Sequence, residues 1–164
     1  LALGAETRQL RDEVYPFVLE SHRELAAGRF DDLVARIAEL DRIWFFAFRD
    51  DVLNALQSLQ PEVWHYRFDW DELPPPFDVV YGAAHSFDLP FVFGNFGPSL
   101  YANISFTRAN APGRLALSAL MMQSLGAFAH RGDPNTAALG TRWPVWPGRL
   151  VFDADPQAPR LALE

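Results

Sequence analysis

The stretch YGAAHSFDLPFVFG, residues 81–94, sets one histidine, His85, between small residues and a run of aromatics. Ala83, Ala84 and Ser86 leave room around its ring, and three consecutive prolines at 74–76 make the approach to it a loop. Functional side chains of open α/β sheets gather in such loops at the carboxyl ends of strands. Position alone leaves two readings open: His85 is a catalytic base, or it is a polar residue set into a core.

Working outward, VWHYRFDW at 63–70 alternates with period two. Trp64, Tyr66, Phe68 and Trp70 share one face and His65, Arg67 and Asp69 the other, which predicts a strand. After the loop, residues 114–131 predict an amphipathic helix with Leu115, Ala119, Met122, Leu125 and Ala129 on one face and Gly132 as its stop. GDPN then forms a turn, TRWPVWPG an aromatic and proline loop, and RLVFD a short final strand. Before residue 60 the chain is rich in helix formers. Helical spacing runs through Leu10, Val14, Phe17, Val18 and Leu25 to a stop at Gly28, then from an Asp31 cap through Leu33, Ile37 and Leu40, and again over 41–59. The domain reading is therefore a helical segment at 1–60 and an α/β segment at 61–164 that carries the His85 loop. Helices, strand, loop, helix and strand resemble the tail of an α/β sheet more than a complete one, since two strands do not make a stable sheet alone.

Composition excludes several chemistries. The 164 residues are 49% hydrophobic with a formal net charge of -7, and the 14 cationic residues, all arginine, are scattered rather than clustered, which argues against a nucleic-acid partner. With no cysteine there is no thiolate metal site and no cysteine nucleophile. No apolar run reaches the roughly 20 residues that span a bilayer, so a soluble chain is expected, with its compartment unread. The four histidines have neither HxH nor HxxxH spacing, and neither a P-loop nor GxGxxG occurs; no metal and no cofactor is expected. His22 and His65 read as solvated, and His130 sits in a last helical turn where a partly charged imidazole complements the dipole. None of the serines lies in a GxSxG elbow, and no HGG segment offers an oxyanion hole. A complete hydrolase site is absent from these residues.

The blocks nevertheless resemble, in order and spacing, the C-terminal part of the type-B carboxylesterases, the cholinesterase-like and para-nitrobenzyl esterase-like α/β-hydrolases. WHYRFDW is similar to that family's Y-x-Y-x-F strand, and GAAHSFDLPFVFG at 82–94 follows its G-A-x-H-x-x-E-L-P-F-V-F-G loop. GAFAHRGDPN at 126–135, WPVW at 143–146 and DRIWF at 41–45 resemble further family segments, so the likeness covers about residues 40–155. Ser86 stands where glycine is usual, Asp88 where glutamate is usual, and Leu125 or Gly126 near an expected tryptophan.

The resemblance implies the C-terminal portion of a serine carboxylesterase that hydrolyses carboxylic esters through a Ser-Glu/Asp-His triad. His85 is then the catalytic base, Phe77, Ala84 and Phe87 line a pocket for a small hydrophobic ester, and Asp88 braces the loop. The serine and the triad acid would come from the remainder of the hydrolase chain, leaving these residues inactive alone. Glu6, the one early acid, lacks the glycine that follows the family's acid. The alternative is a non-catalytic cholinesterase-like interaction module or a truncated, inactive homologue. Asn103-Ile104-Ser105 matches a glycosylation sequon that only a secretory context would use.

Overall fold

The computed structural model describes residues 27–29 and 49–164. The helices expected over 10–25 and 31–40, the DRIWF segment and Glu6 lie outside the described residues. Gly28 occupies an exposed turn with φ 72°. The chain divides into two compact units, Leu1–Leu56 and Gln57–Glu164. The features below belong to the second, apart from the start of the first helix.

Among the described residues the elements run α1 (Asp51–Leu59), β1 (Tyr66–Phe68), α2 (Phe77–Tyr81), α3 (Leu89–Phe93), α4 (Leu100–Ser105), α5 (Ala111–Arg131), a 3-10 turn (Ala137–Leu139), β2 (Leu150–Ala154) and β3 (Pro159–Leu163). The sheet is small and mixed, in the order β1-β2-β3. β1 runs parallel to β2 with Tyr66 opposite Leu150, and β2 pairs antiparallel with β3 with Phe152 opposite Leu161. Parallel neighbours need a crossover, and here it carries α2 to α5.

Four expectations are corrected. The strand spans only Tyr66–Phe68, because the chain leaves the sheet at Asp69, whose amide still donates to the Phe152 carbonyl at 2.9 Å. The supposed loop after the prolines contains α2, a single helical turn begun by Pro76 at its cap. RLVFD is not the last strand, since Pro159–Leu163 turns back on it through a bend in which Asp155 accepts from the amides of Gln157 and Ala158 at 2.7 and 2.9 Å. His65 is half-buried, edge-on to Trp146, rather than solvated.

The largest helix also differs in its buried face. α5 starts at Ala111, with Pro112 in its first turn, and ends at Gly132, whose φ of 77° is the left-handed cap glycine favours. Its buried residues are Gly113, Arg114, Leu117, Ser118, Met121 and Ser124, whereas Leu115 and Met122 are exposed. Apolar residues occur on both sides, so the small and hydroxyl residues decide which side goes in. Ser118 is satisfied by donating to the Phe91 carbonyl at 2.8 Å. Gly113 admits the hairpin: its amide donates to the Pro156 carbonyl at 3.0 Å, and a Cβ there would stand 1.9 Å from the Asp155 carbonyl oxygen. Arg114 is buried between the rings of Phe96 and Phe106, 4.5 and 4.6 Å from their centroids, and burial lowers its pKa.

The core lies between the sheet, α3 and α5. Trp70, Phe91, Leu117, Met121, Leu150 and Phe152 are its innermost side chains. Phe91 meets Phe68, Trp70 and Phe96 at centroid separations of 4.9, 5.0 and 5.3 Å, geometry favourable to aromatic quadrupoles.

Candidate active site

The His85 loop is held from both ends. On one side Gly82, at φ 51°, closes α2 by donating to the Asp78 carbonyl at 3.1 Å. On the other, α3 begins at Leu89 with Pro90 in its first turn. Between them the Phe87 amide donates to the Ala84 carbonyl at 3.1 Å and the Leu89 amide to the Ser86 carbonyl at 3.2 Å, two overlapping turns. His85 is the second residue of the first turn and is exposed.

Ser86 is the third residue of that turn and has φ 68°, the one non-glycine residue with positive φ among the described residues. A turn with positive φ at its third position favours glycine, because a Cβ there crowds the backbone. Ser86→Gly is expected to raise stability by about 0.5 to 1 kcal/mol, the relief of left-handed strain less the entropy of a freer unfolded glycine. A urea midpoint measures it, and a fall in stability would show the serine turn to be unstrained.

The other residues singled out from sequence take distinct places. Phe77 is half-buried and stacks on Tyr81 at 6.1 Å. Ala84 is half-buried against the core, and Phe87 is buried within it, with Tyr81 alongside at 6.2 Å. The Asp88 carboxylate accepts from the Tyr66 hydroxyl at 2.7 Å, joining the turn to β1. Burial first, then donation to Asp88 and the charge there, push the Tyr66 phenol well above its ordinary range. Its donating form therefore stabilises the fold fully below the ordinary value of 10.0, and that contribution is lost only as pH climbs above it. Sequence pattern missed this residue, since a tyrosine on the inner face of a strand looks like any other core aromatic.

Beside the loop, Leu89, Pro90, Phe93, Asn95, Pro98 and Ser99 line a groove of about 280 Å³, and a larger polar depression of about 670 Å³ lies over residues 133–142. His85 lines neither. Among the described residues no group of three histidine or acidic side chains is placed to hold a metal ion, and no helix is long and apolar enough to cross a membrane.

Over 91 residues the chain is 35% identical to the para-nitrobenzyl esterase of Bacillus subtilis (strain 168), a match that covers 55% of this chain and 17% of that protein. In that part the chain is type-B carboxylesterase-like. Two solved structures accompany this carboxylesterase relation. A carboxylesterase of Geobacillus stearothermophilus is 32% identical over 66% of this chain and 21% of its own, with a TM-score of 0.47. A PNB esterase is 30% identical over 62% and 19%, with a TM-score of 0.45. These superpositions are partial, and the family relation rests on the shared residues. No protein-family model matches the chain. The carboxylesterase-like chain thus spans 17% of the length of the curated relative it matches.

Proposed function

We propose that this chain is the C-terminal portion of an α/β-hydrolase serine carboxylesterase and supplies its catalytic base, His85. Residues 61–164, and residues 1–60 before them, belong on this reading to one larger hydrolase domain. What supports it is the placement of an exposed imidazole at the corner of a closed turn, in a chain related to carboxylesterases.

One ring nitrogen of His85 takes the proton of a serine hydroxyl supplied by sequence outside these residues, as that oxygen attacks the ester carbonyl. The imidazolium then returns the proton to the departing alcohol. The second ring nitrogen donates to a carboxylate, also from outside, which selects the tautomer and stabilises the charged ring. Asp88 does not take that role, because its carboxylate is engaged by Tyr66 and braces the turn. Phe77 in α2 and Ala84 at the start of the turn, both half-exposed, are on this reading the apolar wall that favours a small hydrophobic ester, while the Phe87 ring is committed to the core.

The test is carried out on the full-length protein that contains this chain, with para-nitrophenyl acetate as substrate and a fluorophosphonate as serine label. Hydrolysis together with a labelled serine outside residues 1–164 is expected. A longer chain with neither would sink the esterase reading and favour the non-catalytic interaction module.

A further inference from the structure

We propose that Tyr66 is a positioning residue for His85: by donating to Asp88 it locks the turn that carries the imidazole onto the sheet. This rests on reading His85 as the base.

Both ends of the link are fixed. Tyr66 stands in β1, opposite Leu150, and its ring is held edge-on by Trp143 at 6.1 Å and Phe152 at 5.8 Å. Little freedom is left to its hydroxyl, which reaches Asp88 at 2.7 Å across 22 residues of chain. Asp88 occupies the N-cap of α3, where an aspartate ordinarily accepts from the helix's own first amides, yet its side chain makes no such bond. The carboxylate turns to the strand instead, while the Asp88 carbonyl accepts from the amides of Phe91 and Val92 at 3.0 and 2.9 Å. Asp88 is thereby clamped by the sheet through its side chain and by α3 through its backbone. Three residues earlier, His85 sits in a turn that shares Ser86 with the next one, so a shift at Asp88 passes into both.

Without the phenol the carboxylate loses its tie to β1 and gains none in α3, where the Leu89, Phe91 and Val92 amides already donate to the Ser86 and Asp88 carbonyls and Pro90 has no N–H, so the turn is free to shift from the strand. A general base works within hydrogen-bond reach of its proton, and displacement by about 1 Å costs on the order of 100-fold in rate. Loss of the link should therefore appear in the chemical step, with substrate binding little changed.

The full-length protein and para-nitrophenyl acetate again serve. Tyr66→Phe keeps the ring and removes the hydroxyl; kcat is expected to fall about 10- to 30-fold with KM within about twofold, since only positioning is lost. Asp88→Ala should match it, and the double variant should be no slower than either, because both remove one coupled contact. Asp88→Asn, whose amide oxygen still accepts, should lose only about threefold. Tyr66→Phe with kcat intact, or losses that multiply in the double variant, would overturn the proposal. His85→Ala separates the two readings. If that variant retains full activity, the base assignment fails, and the link is judged by hydrogen exchange at the Leu89 amide. Tyr66→Phe should speed that exchange about tenfold, and unchanged exchange overturns the link itself.

Discussion

Replacing His85 with alanine is expected to lower kcat/KM for para-nitrophenyl acetate by at least about a thousandfold in the full-length protein, while its unfolding midpoint stays where it was. The two halves of this result have separate physical origins. The imidazole is exposed, it sits in a turn closed by a main-chain hydrogen bond, and truncating such a side chain changes stability by no more than about 0.5 kcal/mol. The rate falls because nothing else in the turn accepts a proton at neutral pH. Ser86 and Phe87 have no basic group, and the Asp88 carboxylate is already engaged by Tyr66. Steady-state kinetics beside circular dichroism melting make the measurement. Activity retained within about tenfold would remove His85 from the mechanism, and a collapsed midpoint would make it a structural residue instead.

Parts of this arrangement are legible in the residue pattern and parts are not, for identifiable reasons. Gly132 marks the end of α5 because a left-handed cap is the one task there that glycine performs best. Tyr66–Phe68 is legible from its alternation, with Arg67 turned outward to Asp69 and Glu164. The short helices α2, α3 and α4 are hidden, because a single turn has little helical propensity of its own and forms only where packing fixes it. In α3 that packing is Phe91 and Pro90, both buried, which in sequence look like one more aromatic and one more breaker.

The inner face of α5 is hidden differently. Leucine, methionine and alanine occur all round it, so the choice of face falls to Gly113, Ser118 and Ser124, whose value lies in letting neighbours approach. β3 is a five-residue strand that exists by pairing with β2, a non-local contact no local period reports. The candidate site shows the same division. His85 is one of four histidines by composition, and the resemblance of its flanking residues to a family loop is what distinguishes it. The strain at Ser86 and the link from Tyr66 depend on backbone angle and distance, and neither is a property of sequence order.

Removing the Phe91 ring should produce the largest loss of stability, about 3 to 5 kcal/mol for Phe91→Ala. Phe91 is fully buried and packs against three rings: Phe68 of β1, Trp70 just beyond it, and Phe96 after α3. Its carbonyl also receives the Ser118 hydroxyl from α5, so the backbone at this position cannot move inward to fill the space without breaking that bond. A cavity that cannot collapse carries the full cost of lost transfer and lost contacts. Phe91→Leu should cost less, because it keeps most of the apolar volume and loses chiefly the ring pairs, worth about 0.5 to 1.5 kcal/mol each. Urea unfolding midpoints of the two variants order these contributions, and an alanine loss below about 1 kcal/mol would mean that the core repacks. Phe91 stands three residues after Asp88, yet its ring meets Phe68, Trp70 and Phe96 and not the Tyr66–Asp88 pair. Below its melting point the alanine variant should keep the Tyr66 link, and with it most of kcat, while Tyr66→Phe keeps its core and loses kcat. That crossed pattern would separate what holds the fold from what holds the histidine.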